Sequence, residues 1–254
     1  MSANSNNGEG KLAGKVAIVT GGSKGIGAAI ARRLAADGAA VALTYAGSPQ
    51  KAEEVARDIE AAGGKALAIR ADSADPEAVR DAIGQAVKAL GRLDILVNNA
   101  GVIALGTIDQ FSVEDFDRSI AINVKGVFVA TKEAVAHMND GGRIIMIGSV
   151  NSDLMPFAGG SVYALTKGAV AGFTRGLARD LGPRRITVNN IQPGPVETDS
   201  NPASGPFADK LKEIVALHRY GSADEIAGMV SYLASDEAGY ITGASLKIDG
   251  GFAA

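Results

Sequence analysis

Apolar positions in this chain gather into short, nearly unbroken runs separated by longer stretches with helical periodicity. The runs are Val16–Thr20, Ala40–Tyr45, Ala66–Arg70, Ile95–Asn98, Arg143–Gly148, Thr187–Gln192 and Ser245–Asp249. Runs with little polar alternation are expected of strands covered on both faces, as in a parallel sheet between helices. The intervening stretches carry helix-start signals. Ser48-Pro49 and Asp75-Pro76 each place a capping residue before a proline at the first helical position. Ser222-x-x-Glu225 has the form of a capping box. Strand–helix alternation along the whole chain predicts an α/β fold: a single-domain, Rossmann-type, doubly wound parallel sheet of about seven strands. No repeat or internal linker interrupts it. Residues 11–254 are therefore expected to form one dinucleotide-binding domain, and residues 1–10, "MSANSNNGEG", a disordered polar tail.

Composition narrows the class. Aromatic residues make up 5% of the chain and glycine occurs 33 times, which suits close helix–sheet packing. A net charge of -3 gives no electrostatic reason to expect nucleic acid as a partner. With no cysteine, disulfide and thiol chemistry are excluded. No apolar run approaches the roughly 18 residues a membrane span needs. The polar start lacks the apolar centre of a secretion signal, so a cytoplasmic location is expected. The stretch Pro193–Phe207, "PGPVETDSNPASGPF", is the one long interior segment rich in Pro, Gly and Ser. It follows a strand, and in doubly wound folds loops at the carboxyl ends of strands form the ligand crevice. It is expected to be a substrate lid.

The stretch "TGGSKGIG", Thr20–Gly27, joins the first strand to the first helix and admits three readings. A P-loop needs lysine after its last glycine. Gly22 and Gly27 have the right spacing, but Ala28 and Ala29 follow. Gly21-x-Ser23-x-Gly25 matches a hydrolase nucleophile elbow, which also needs a later acid and histidine. His137 and His218 are the two histidines. That reading leaves Gly27 without a use and has no earlier strand to supply an oxyanion loop. A dinucleotide-binding turn uses every glycine: Gly21 for the tight turn, Gly25 and Gly27 for close approach to a pyrophosphate at the helix start. An acid at the end of the second strand would mark NAD, and "AVALTYAGS" has none. Lys24 and the hydroxyls of Thr44, Tyr45 and Ser48 could receive a 2′-phosphate instead, which favours NADP(H).

A second constellation lies downstream. In "SVYALTKGAV" Tyr163 and Lys167 stand four residues apart, on one face of a helix. A neighbouring ammonium stabilises a phenolate and would lower its pKa, so Tyr163 could exchange a proton with an alcohol or ketone. Ser149, at the end of the strand "RIIMIGS", adds a hydroxyl to the same crevice. No His-Glu-x-x-His or similar ligand cluster is present, no metal is expected, and both histidines are read as surface or loop residues.

Taken in order, the glycine turn, "NNAG" at Asn98–Gly101, Asn123 in "INVKG", Ser149, the Tyr163/Lys167 pair and "PGPVET" at Pro193–Thr198 resemble the short-chain dehydrogenase/reductase family. The similarity runs from about Lys15 to Gly251, and within the family it is to bacterial 3-oxoacyl-carrier-protein reductases and carbonyl reductases. The resemblance implies Tyr163 as general acid and Lys167 as its partner and as a ribose ligand. It implies that Ser149 holds the substrate carbonyl and that Asn123 holds a water linking Lys167 to solvent. For the cofactor it implies Gly21, Ser23, Lys24, Gly25, Ile26 and Gly27 in the turn, and Tyr45, Ala46 and Ser48 beyond the second strand. Asp72 and Ser73 would lie at the adenine, Asn99, Ala100 and Gly101 beside its ribose, and Pro193, Gly194, Val196 and Thr198 at the nicotinamide end.

Ser149 and Tyr163 are one residue further apart than in many members. The extra residue falls in "VNSDLMPFAGGSV", beside the substrate, and so bears on specificity. The segment Asn151–Phe157 and the loop 193–218 would line the substrate pocket, with Met155, Phe157 and Phe207 as an apolar wall. Family members are commonly tetramers built on the long helices and the C-terminal strand, and "ITGASLKIDGGF" fits that use, so a homotetramer is expected. In "TYAGS", "IGSVN" and "QPGP" the chain also resembles a cyclic-di-GMP-binding subgroup, which implies an alternative: a nucleotide-binding regulatory protein on the same fold.

Overall fold

The computed structural model describes residues 10–254. The expected tail falls on residues 1–9, outside the described residues, except for Gly10. That residue already belongs to the domain, its carbonyl accepting from Ala13 N at 2.9 Å. Strands β1 (Val16–Val19), β2 (Ala40–Tyr45), β3 (Ala66–Arg70), β4 (Leu93–Asn98), β5 (Met138–Ile147), β6 (Thr187–Pro193) and β7 (Ser245–Ile248) form one sheet in the order β3-β2-β1-β4-β5-β6-β7. Every pairing is parallel. β1 has β2 on one side and β4 on the other, so sheet growth reverses there and a crevice opens beyond the carboxyl ends of those strands. The helices are α1 (Gly25–Ala36), α2 (Pro49–Ala61), α3 (Pro76–Leu90), α4 (Val113–Ile120), α5 (Val127–His137), α6 (Ser161–Leu181), α7 (Pro206–Ile214) and α8 (Ala223–Ala234). A π-helical segment, Ala121–Gly126, joins α4 to α5.

The unbroken apolar runs are explained by two cores. Alternate residues of a strand point to opposite faces. Ala17, Val19, Val41, Leu43, Ile95, Val97, Ile145 and Ile147 pack under α1, α2 and α8. Their neighbours Ile18, Ala42, Leu96, Ile144 and Met146 pack under α3, α5 and α6. Both faces are thus dry, and each fully buried Leu, Ile or Val contributes roughly 1.5–3 kcal/mol. A smaller cluster of Val150, Ala208, Leu211, Val215, Tyr220 and Phe252 sits beneath α7.

Local signals hold at α3 and α8. Asp75 accepts from Glu77 N and Ala78 N at 3.0 and 3.3 Å, Pro76 opens α3, and Gly91 ends it at φ 84. Ser222 and Glu225 close a reciprocal capping box on α8. Ser48 departs from expectation: it precedes Pro49 but makes no side-chain cap bond, because its backbone (φ -132, ψ 66) lies outside the extended geometry of a capping residue.

Two further boundaries differ. β5 begins at Met138, ahead of the expected Arg143; Met138 pairs with Leu93 across a register shift, and the "NDGG" that reads as a turn is a detour within the strand. The segment expected as one long loop, 193–218, contains α7, which starts at Pro206 after Gly205 at φ 98.

Candidate active site

The glycine turn is built by close contact. Gly21 and Gly25 have φ of 64 and 53, the left-handed region that favours glycine. A Cβ on Gly27 would lie 2.3 Å from Gly21 O and 2.4 Å from Asn99 Nδ2, so only hydrogen fits. Asn99 closes the turn from β4, its Nδ2 donating to Thr20 O and Gly21 O at 2.9 and 3.0 Å. Thr44 closes it from β2, its Oγ1 accepting from Gly21 N at 3.1 Å. The buried Thr44 hydroxyl is therefore engaged in the turn, not presented to a phosphate as the sequence suggested. Tyr45 is the residue at the end of β2 that faces the crevice.

α1 begins with neither a side-chain cap nor an acidic residue in its first turn. Its first N–H groups stay available at the groove floor, which makes an anion site of the helix start. A groove of about 430 Å³ runs over it, lined by the turn, by Tyr45, Ala46 and Ser48, by Asp72 and Ser73, and by Asn99–Gly101. A second cavity of about 200 Å³ adjoins it and shares Ile26, Asn99, Gly101, Val102 and Thr198. Ser149, Tyr163, Lys167, Pro193, Gly194 and Val196 line that inner cavity. All the residues singled out for cofactor binding thus lie along one continuous trough. Larger than either is a recess of about 710 Å³ at the other end of the sheet, around Lys15, Gly38, Gly64 and Arg92; it carries none of these residues.

Three parts of the fold bring the reactive side chains together: the turn just after β5 supplies Ser149, α6 supplies Tyr163 and Lys167, and the π-segment supplies Asn123. Lys167 is buried and its Nζ donates to Ile147 O at 2.9 Å. The same Nζ stands 5.8 Å from the centroid of the Tyr163 ring. Asn123 is a clamp. Its Oδ1 accepts from Val102 N at 2.9 Å, while Nδ2 donates to Val102 O at 2.9 Å and Thr166 Oγ1 at 3.1 Å. Thr166 Oγ1 donates in turn to Tyr163 O at 2.8 Å, tying the loop after β4 to the first turn of α6. Ser149 Oγ accepts from Asn151 N at 3.1 Å and makes a long contact of 3.2 Å to Asn151 Oδ1.

Electrostatics correct one expectation. Burial raises the Tyr163 phenol above its ordinary value, and the Ser149 side chain only partly offsets this. The Lys167 ammonium is bonded to the Ile147 carbonyl and makes no hydrogen bond to the phenol, and burial sets the direction of the shift. Burial also lowers Lys167, to about 8. Both groups therefore favour their neutral forms more than free side chains do, as expected in a dry cavity.

His137 is exposed at the end of α5, 3.4 Å from Glu133, and His218 is exposed at φ 51. Neither lines the trough, which removes the nucleophile-elbow reading. Among the described residues no cluster of His, Cys, Asp and Glu could hold a metal. Phe157 and Phe207 meet edge to face, centroids 5.6 Å apart, but neither they nor Met155 line the inner cavity. Sequence reading missed Arg118 and Ile122 in the outer groove and Ile103 in the inner one, while Asp199 and Asn201 fall in the loop 193–218 expected beside the substrate. Arg118 lies near the end of α4 and Ile122 precedes Asn123 in the π-segment, so proximity in the chain was the available signal.

Comparison with known proteins gives a consistent answer. Residues 21–253 match the family described as enoyl-(acyl carrier protein) reductase. A short-chain dehydrogenase/reductase from Serratia marcescens BCRC 10948 is 61% identical, with a TM-score of 0.95 over 96% of this chain and 100% of that one. A short-chain dehydrogenase from Burkholderia cenocepacia J2315, solved in complex with NADP, is 51% identical, with a TM-score of 0.95 and the same coverage. The cyclic-di-GMP-binding biofilm dispersal mediator protein of Escherichia coli (strain K12) is 48% identical over 96% of this chain and 100% of its own.

Proposed function

The chain belongs to the short-chain dehydrogenase/reductase family, and from that premise we propose that it reduces a ketone or 3-oxoacyl group to an alcohol with NADPH, Tyr163 delivering the proton. The observation that carries this is the convergence of Ser149, Tyr163 and Lys167 on one small cavity at the inner end of a dinucleotide-shaped groove. NADP(H) suits the groove. The uncapped start of α1 would meet the pyrophosphate, the end of β2 carries no carboxylate, and Lys24 is exposed at its rim. Lys24, Tyr45, Ala46 and Ser48 would hold the 2′-phosphate side, Asp72 and Ser73 the adenine, and Asn99–Gly101 its ribose. Tyr163 and Lys167 would hold the second ribose, and Pro193, Gly194, Val196 and Thr198 the carboxamide side.

When bound, the reduced nicotinamide supplies hydride to the carbonyl carbon. Ser149 Oγ turns from Asn151 to donate to the carbonyl oxygen, and Tyr163 gives that oxygen its proton. The raised phenol pKa keeps the acid protonated until charge develops on the substrate. Lys167, held in place by Ile147 O, supplies a positive charge that stabilises the phenolate left behind. Asn123 has its side-chain donors committed to Val102 and Thr166, so a water relaying protons to Lys167 would be held by its remaining acceptor capacity. We also take the protein to be a cytoplasmic homotetramer.

Tyr163→Phe tests the assignment. NADPH oxidation with a panel of ketones and 3-oxoacyl thioesters should fall well below about a tenth of wild type, with NADPH binding nearly intact. Retention of more than that tenth removes Tyr163 from the role. A second reading rests on the Escherichia coli relative: a regulatory protein that binds a cyclic dinucleotide in the same groove. Titration with cyclic-di-GMP, competed by NADPH, separates the two. Tight dinucleotide binding without turnover on any ketone favours the second.

A further inference from the structure

Asp199, in the segment after β6, reaches across the mouth of the groove to α2. Its carboxylate pairs with Lys51 Nζ, 148 positions away in the chain. It also lies in the field of Lys24, which favours its charged form after the larger effect of Lys51. The backbone around it is pinned. Thr198 N donates to Asn201 O at 3.2 Å, Asn201 N to Thr198 O at 3.0 Å, and Asn201 Nδ2 to Val196 O at 3.0 Å. Thr198 itself abuts the glycine turn, its Cγ2 lying 3.2 Å from where a Gly25 Cβ would be. Lys24 and Asp199 line the cofactor groove together with Tyr45 and Ser48, and both also line an outer recess with Lys51. Arg32, Glu54 and Asp224 complete the charged groups of that recess.

Two helix starts, α1 and α2, converge here, and neither has an acidic residue in its first turn. Two lysines stand beside them. Such an assembly favours an anion, and the anion in place is the carboxylate of Asp199. On the NADP(H) reading above, the anion due at this rim is the 2′-phosphate.

We propose that Lys51 is a second cation for the cofactor 2′-phosphate, alongside Lys24, and that Asp199 fills the phosphate's place in the free protein. A phosphate monoester carries close to two charges at neutral pH and offers three acceptor oxygens, so it displaces a single carboxylate from the lysines. A cofactor without the 2′-phosphate leaves the Lys51–Asp199 pair in place. The pair thereby weakens NADPH binding by competition, and couples occupation of the 2′-phosphate site to release of the segment that borders the inner cavity.

Calorimetric titration with adenosine 2′,5′-bisphosphate and with adenosine 5′-monophosphate isolates the phosphate, and NADPH and NADH fluorescence titrations repeat the comparison on the whole cofactor. Asp199→Asn should tighten the bisphosphate and NADPH by about 3- to 10-fold, in the range for exposed charge pairs. It should leave the monophosphate and NADH within about twofold. Lys51→Met should weaken the phosphate-bearing ligands by a similar factor, and in that background the gain from Asp199→Asn should shrink. Equal loss for both ligand classes would make the pair a general lid anchor and overturn the proposal. Wild-type discrimination that neither variant changes overturns it too, leaving the NADP(H) reading intact. No discrimination in the wild type overturns that reading and this inference together.

Discussion

Single side chains decide the chemistry, and three of them show how burial changes what a residue type promises. Lys167 holds its proton less firmly in the fold than in the unfolded chain, with a pKa of about 8. Between about pH 8 and the ordinary lysine value the unfolded chain binds more protons, so stability rises with pH across that window. The effect is roughly 3 kcal/mol between its limits. Urea melts at pH 7.5 to 9.5 should show about 2 kcal/mol of this gain in wild type and lose it in Lys167→Met. An identical pH dependence in the variant would place the titration elsewhere. Thr44 and Tyr45 are neighbours with opposite duties. Tyr45→Asp puts a carboxylate at the groove and should shift the kcat/KM ratio for NADPH over NADH by at least about tenfold towards NADH. Thr44→Asp would instead bury a charge beside Gly21 N and lower stability by about 2 kcal/mol or more. The sequence could name this pair but not separate it, because strand alternation leaves open which member points outwards until the glycine turn is in place.

Elements were legible where one local signal sufficed. The strands of the sheet could be read because both faces are covered, and α3 and α8 because Asp75 and Ser222 cap them. The early start of β5 was hidden behind Gly141 and Gly142, whose composition says turn while the pairing of Met138 with Leu93 says strand. α7 was hidden in a Pro- and Gly-rich stretch, although Pro206 at its start and the spacing of Phe207 and Leu211 are helical. At the candidate site the residue types were legible, but bond directions were not: Asn123 reads as a water holder and is largely a clamp between Val102 and Thr166. The glycine turn is the element most sensitive to change. Gly27→Ala drives a methyl into Gly21 O, so the turn must open. The expected outcome is a loss of about 1–3 kcal/mol in a urea melt, with NADPH affinity falling by about tenfold or more on fluorescence titration. Unchanged affinity would mean that the cofactor does not sit on this turn.

Among the described residues the sheet ends in two edges, and several apolar side chains on the helices stand exposed. β7 ends the sheet, with the fully exposed Tyr240 shortly before it, and an open edge invites pairing or cover. Val113, Phe128 and Leu165, on α4, α5 and α6, are 70%, 50% and 52% exposed. Light scattering should give a tetramer for the wild type and a smaller species for Phe128→Glu combined with Leu165→Glu. A monomer at all concentrations would refute the assembly. To an electrophilic reagent the same molecule looks different again. Burial lowers Lys167 to about 8, so near neutral pH it gives up its proton more readily than an ordinary lysine does. That amine borders the inner cavity at the end of the trough. An aryl or acyl electrophile shaped to enter the cavity would find there an amine that loses its proton more readily than an exposed lysine, and NADPH would shield it. The buried ammonium that supports proton transfer is, for a covalent inhibitor, the anchoring point.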